Sequence, residues 1–366
     1  MIVYKQFVNY FLVLLVLMLI FHVFIWNSYT KYVVQTNKMI YKGDLTRKTY
    51  KIDSVYPRYS FSNPKNSNLK KHIPLKDWDG KQVDIITIGD SFSNGDMQGL
   101  NPFYQDYIVT INNKKVLNIP RLITQKYNYI EIIQMLNNSG MLKKLNPKYV
   151  IIESIERFSI ERFSTNIDFS ITDNNNRVFN FLKNFKYQFF NSNDNEKAIN
   201  FININNFKAF RNNMEFNFIS KYGLYSSVYI EPLSENFFTS EDKNSLLFFK
   251  QDIDNIILTT KSSVEKLNEN FNKLAKSLSK NGIKLYFMPV VDKYNLYSKY
   301  IKRDVSYPTS SFFELLRPLK KDYVLIDTKK ILRNALKNGE KDIFYSDDTH
   351  WSYKASEMIF KKVKFD

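Results

Sequence analysis

Five short apolar runs, each bounded by turn-forming residues, constrain the fold of this chain more than any other feature: VDIITIG (83–89), KVLNI (115–119), KYVIIESI (148–155), IKLYFMPV (283–290) and YVLID (323–327). Runs that are apolar throughout, rather than alternating, suit strands buried on both faces of a parallel sheet. Helical patterns fall between them. The clearest runs from Ser262 to Lys280, where Val264, Leu267, Phe271, Leu274 and Leu278 recur at three- and four-residue steps. Ser262 and Glu265 offer a capping box there, and Gly282 stands near the C-cap. This alternation predicts an α/β fold with an open, mostly parallel sheet and helices on both faces.

Ahead of that body, residues 6–27 read QFVNYFLVLLVLMLIFHVFIWN, without a charged side chain. About twenty apolar residues are what a helix needs to span a bilayer. A cleavable signal peptide would have an apolar region of about 7–15 residues ending in small residues. Here the run is longer and ends in Trp26, Asn27 and Tyr29, so an uncleaved single-pass anchor is expected. Lys5 lies on one side and Lys31, Lys38 and Lys42 on the other, so charge does not set the orientation. Residues 28–80 read as a polar connector, and His72, within KKHIP, as a surface loop residue. Residues 81–366 form the expected catalytic domain, interrupted at about 160–255 by an Asn- and Phe-rich insertion. That insertion reads as a lid, a substrate platform, a membrane-facing surface or an aromatic-cored elaboration of the domain.

Composition removes several kinds of chemistry. With no cysteine there are no disulfides, thiolate metal sites or cysteine nucleophiles. The formal charge of +17 comes from basic residues scattered along the chain, mostly Lys, whereas a nucleic-acid footprint clusters them, so no nucleic-acid partner is expected. An aromatic load of 31 Phe and 25 Tyr argues for packed layers rather than disorder. Only three histidines exist, His22, His72 and His350, so any imidazole chemistry has few places to occur.

In an open parallel sheet the ligand crevice lies beyond the carboxyl ends of the strands. Ser91 follows the run 83–89 by two residues, which puts its hydroxyl at that edge. A serine becomes a nucleophile when a base takes its proton and a carboxylate orients the base. Near the C-terminus, FYSDDTHWSYKASEMIF (344–360) carries His350 with Asp348 two residues earlier and Asp347 three earlier, ahead of an amphipathic helix. Ser91, His350 and Asp348 are therefore the expected catalytic triad, with Asp347 the alternative acid.

Gly89-Asp90-Ser91-Phe92 together with Asp348-Thr349-His350-Trp351 resembles the SGNH-hydrolase superfamily, and within it the alginate O-acetyltransferase-like group of membrane-anchored polysaccharide O-acetyltransferases. Glu153 with Glu156-Arg157, and Pro289 with Lys293, resemble weaker signatures of that group. The serine block precedes the histidine block, as in ordinary SGNH esterases and peptidoglycan O-acetyltransferases; in the alginate enzymes the order is reversed. The resemblance implies a three-layer α/β/α, flavodoxin-like domain. It implies acetyl transfer through an acyl-serine to an extracytoplasmic polysaccharide, without cofactor or metal. The implied setting is the bacterial cytoplasmic membrane, with the domain in the periplasm or outside the cell and a membrane-bound O-acyltransferase supplying acetyl. Asn118, Arg157, Lys293 and Trp351 are its candidate oxyanion or substrate residues. A carbohydrate esterase, with water as the acceptor, and a non-catalytic acyl-relay scaffold are the alternative functions.

Overall fold

The computed structural model describes residues 2–27, 44–45, 68–97, 101–120, 127–172, 228–240, 243–302 and 307–366. Its frame is a six-stranded sheet. In chain order the strands are β1 (Ile73–Pro74), β2 (Ile85–Ile88), β3 (Val116–Ile119), β4 (Tyr149–Ile155), β7 (Lys284–Val290) and β8 (Val324–Leu325), and they lie in the order β1-β3-β2-β4-β7-β8. Every neighbouring pair is parallel. Every residue of β2, β3 and β4 is buried, which is why their sequences carry no alternation.

Without the two-residue edge strand β1, this is the doubly wound order in which the chain first steps outward from β2 to β3. It then returns past β2 and builds the other way through β4, β7 and β8. The direction of winding reverses between β2 and β4, and the loops leaving those two strands part to open a crevice. The structure is thus α/β with a mostly parallel sheet, as the sequence implied.

Helices pack in two groups with the sheet between them. Lys261–Ser279 contacts Tyr129–Asn138, Glu156–Phe163 and Phe312–Leu316, whereas Tyr353–Lys362 contacts Tyr104–Asn112 and Thr328–Lys337. The long helix buries Val264, Leu267, Phe271, Leu274 and Leu278, the periodic set read from sequence. Phe271 stacks on Phe287 of β7 at 4.1 Å between ring centroids. Its cap differs from the expected one: Thr260 is the N-cap and forms a reciprocal capping box with Ser263, in place of Ser262 and Glu265. Either hydroxyl satisfies the spacing rule, and the helix start decides between them.

Two further readings are corrected. Ile73–Pro74, from the stretch read as connector, pairs with β3 and belongs to the sheet. His72 is buried rather than a surface loop residue, with Nδ1 2.7 Å from Asp106 Oδ1, and the same carboxylate oxygen accepts its backbone amide. This ties the edge strand to the helix Tyr104–Asn112. Within the expected insertion, β5 (Val228–Pro232) and β6 (Ser245–Phe249) form an antiparallel hairpin. Residues 28–43 and 46–67 of the expected connector, and 173–227 and 241–242 of the insertion, lie outside the described residues.

The amino-terminal segment is one helix, Ile2–Ile25. Tyr4–Ile25 has a mean hydropathy of 2.6 and exposes its apolar side chains all round, and it is long and apolar enough to cross a membrane.

Candidate active site

β2 ends at Ile88, and a short helical turn, Ser91–Asn94, starts immediately beyond it with Asp90 as its N-cap. Ser91 is half-buried at the first helical position, at the crevice edge. Its neighbours hold it there. Asp90 accepts hydrogen bonds from the Phe92 amide, from the Ile155 amide at 2.9 Å and from Arg162 Nη1 at 2.6 Å, bracing the turn against the end of β4. Burial opposes the Asp90 charge, but the Arg162 cation together with the hydrogen bonds to the carboxyl outweighs it and holds the carboxyl down to about 2. Glu153 of β4 supports the turn from below, its Oε2 accepting from the Asp90 amide and from Ser93 Oγ, each at 2.9 Å. Burial, then the Asp90 charge, push the Glu153 carboxyl well above the carboxylate range. Gly89 is required because a Cβ there would collide with the Glu153 carboxylate and Ser93 Oγ.

The base arrives from the other end of the chain. His350 Nε2 lies 2.8 Å from Ser91 Oγ, and its Nδ1 lies 2.6 Å from Asp348 Oδ1. Asp348 Oδ1 also accepts the His350 backbone amide at 2.9 Å, an Asx-turn that fixes the acid and the imidazole in one local unit. Asp90 and the Phe92 amide make the same turn in the serine block. The two blocks meet through aromatic rings. Phe92 is fully buried with its centroid 4.7 Å from the His350 ring and 4.9 Å from Trp351, which meets it edge-on. Burial disfavours the His350 cation, but the Asp348 charge and hydrogen bond outweigh this, with smaller help from Asp44 and Asp96, and raise it to about 8.

Lys293 anchors the loop beneath. Its buried Nζ donates to the carbonyls of Tyr345, Ser346 and Asp348 at 2.7, 2.8 and 3.0 Å. Burial lowers it to about 8, against the pull of Asp347 and Asp348. Lys293→Met removes the shared donor of three buried carbonyls, each worth about 1–3 kcal/mol when left unpaired. We therefore expect a loss of about 3–5 kcal/mol of stability, read as a lowered urea midpoint with an unchanged m-value.

An open cleft of about 450 Å³ lies over Ser91 and His350, walled by Asp96, Arg157, Phe158, Arg162, Phe249 and Asp44 among others. Arg157 Nη1 is 2.5 Å from Asp292 and 3.1 Å from Asp252, and Nη2 is 3.5 Å from Thr349 Oγ1. Phe249 belongs to β6, so the described hairpin of the insertion contributes one wall.

The structure brings together Ser91, Asp348 and His350, and puts Arg157 on the cleft wall as a buried ion-pair residue. It corrects the other three candidates. Asn118 faces into the sheet, donating to the Ser93 carbonyl and accepting from Thr87 Oγ1, so it braces the serine turn and does not line the cleft. Lys293 is spent on loop carbonyls. Trp351 is a core residue packed edge-on against Phe92. Asp348, not Asp347, meets the imidazole. Sequence reasoning missed Arg162, although ERFSIERF repeats the Glu-Arg-Phe triplet of the recognised Arg157. It also missed Asp44, for which no motif exists.

Asp44, Asp348 and His350 bring one ligand-type atom each within 4.8 Å of one another, a composition that could also hold a metal ion. Both imidazole nitrogens are already engaged, Nδ1 with Asp348 and Nε2 with Ser91, so the geometry fits proton transfer better than coordination.

No curated protein and no solved structure matches the chain. Residues 243–363, about a third of the chain, match the family model described as the SGNH hydrolase-like domain of acetyltransferase AlgX, the same group that the GDSF and DTHW blocks resemble.

Proposed function

We propose that the chain is a serine-dependent O-acetyltransferase that moves an acetyl group through acyl-Ser91 to a hydroxyl of an extracytoplasmic polysaccharide. The similarity to an SGNH hydrolase-like acetyltransferase domain supports chemistry of the acetyltransferase or esterase type. The observation that carries the finer reading is the unbroken chain Ser91 Oγ to His350 Nε2 and Nδ1 to Asp348, at 2.8 and 2.6 Å. His350 takes the Ser91 proton as Oγ attacks the acetyl carbonyl, then returns it to the departing group. A sugar hydroxyl then attacks acetyl-Ser91, giving up its proton to His350, which returns it to Oγ as the acetyl–Oγ bond breaks. The Ser91 amide, which has no hydrogen-bond partner among the described residues, is one donor for the oxyanion. Donor acetyl would come from a membrane-bound O-acyltransferase, with the helix Tyr4–Ile25 as anchor and the domain on the far side of the membrane from the cytoplasm.

The test compares wild type, Ser91→Ala and His350→Ala with p-nitrophenyl acetate, with and without a glycan acceptor. Acetyl on the glycan in wild type alone supports the proposal. Acetate in solution, with none on any glycan offered, makes the protein an esterase, and equal inertness of all three ends the enzyme reading. The base must be neutral to act, and its cation is held up to about 8. The kcat/KM profile should therefore rise with pH as the imidazolium loses its proton and level off above about pH 8.

A further inference from the structure

Asp44 comes from the stretch between the apolar helix and the domain, yet it sits in the active-site cleft. Its Oδ1 accepts the Thr349 amide at 2.8 Å, and the next amide, of Leu45, donates to the Asp347 carbonyl at 3.1 Å. Leu45 is fully buried against Val228 of β5 and Leu247 of β6. Two adjacent residues thus clip onto Asp347 and Thr349, on either side of Asp348 in the loop that carries the base, and an apolar plug seats them on the hairpin. The Asp44 carboxyl group also faces Asp348 and His350.

We propose that Asp44 is a positioning residue of this active site, supplied by the segment that follows the apolar helix, and that the His350–Asp348 pair is held in working geometry only while Asp44 and Leu45 are seated. The inference rests on the acyl-transfer reading above. Burial, then the Asp348 charge, raise the Asp44 carboxyl to about 7, so below that pH it is neutral and can donate to Asp348 while accepting from Thr349. An ionised Asp44 adds negative charge beside the imidazole. The other charged groups around it are Asp90, Asp96, Arg157 and Arg162 along the cleft, Asp347 in the loop and Lys293 beneath it.

The test uses the full chain in detergent and p-nitrophenyl acetate turnover across neutral and alkaline pH, for wild type, Asp44→Ala, Asp44→Asn and Ser91→Ala. Asp44→Ala should lower kcat about 10- to 100-fold, the scale of a misplaced catalytic group, with KM little changed. Asparagine can still accept from Thr349 and donate to Asp348, so Asp44→Asn should restore most of that loss. Having no anion, it should also move the rising limb of kcat/KM to lower pH, a shift that a purely structural tie would not produce. If Asp44→Ala behaves as wild type beside an inert Ser91→Ala, this inference alone falls; full activity in Ser91→Ala overturns both readings. Loss of wild-type activity in EDTA, restored by a divalent cation, would make Asp44 a metal ligand and also overturn it.

Discussion

Ser91→Ala should lower kcat for acetyl transfer on the order of 10⁶-fold, as loss of the nucleophile does in other serine triads. Without Oγ there is no acyl-enzyme, and what remains is binding and oxyanion stabilisation. His350→Ala should cost nearly as much, because an undeprotonated serine is a poor nucleophile. The double variant should be little worse than either single one, since the two residues act as a unit. Rates of p-nitrophenol release for the three proteins at one pH check this. Effects that simply multiply would mean that Ser91 and His350 work separately, despite the 2.8 Å between them. Phe92 packs on the imidazole and on Trp351 independently of the Ser91 hydroxyl, so Ser91→Ala should keep a near-native melting temperature.

Asp348→Asn is the second large effect, expected at about 10⁴-fold in kcat. The carboxylate accepts the Nδ1 proton, leaving Nε2 bare to take the proton of Ser91. An amide that turns its NH₂ toward Nδ1 reverses the tautomer and places a proton on Nε2, where it blocks attack. Oδ1 serves both the imidazole and the His350 backbone amide, so the turned NH₂ also gives up the Asx-turn bond, and the loss combines a reversed tautomer with a loosened turn. The removed anion is also the main support of the imidazolium, so whatever activity survives should have its rising limb at lower pH. Asp347→Asn is the matching control. Asp347 lies beside the triad but does not meet the imidazole, and its effect should be far smaller.

Both motif blocks were legible because each is a local device. An aspartate accepting the amide two residues on, followed by an aromatic ring that packs inward, is written into four consecutive letters in each case. Strands β2, β3, β4, β7 and β8 were legible to within a residue or two because burial leaves unbroken apolar runs. Orientation was harder to read. Asn118 lies within β3 and Lys293 just past β7. Nothing in the letters says that Asn118 turns toward the Ser93 carbonyl or that Lys293 reaches under the histidine loop. The capping residue of the long helix shifted by two positions for a similar reason, since TTKSSVE offers several hydroxyls at workable spacing. Asp44 was invisible because its role depends on a contact with residues about three hundred positions later.

The seat of Asp44 also sets a length. The apolar helix ends at Ile25, nineteen residue steps before a side chain that lies in the cleft. A chain of that length spans at most roughly 65 Å when fully stretched. With the helix in a bilayer, Ser91 can work only inside a dome of about that radius around its point of exit. For the proposed acyl transfer, an acceptor must come within that distance of the membrane.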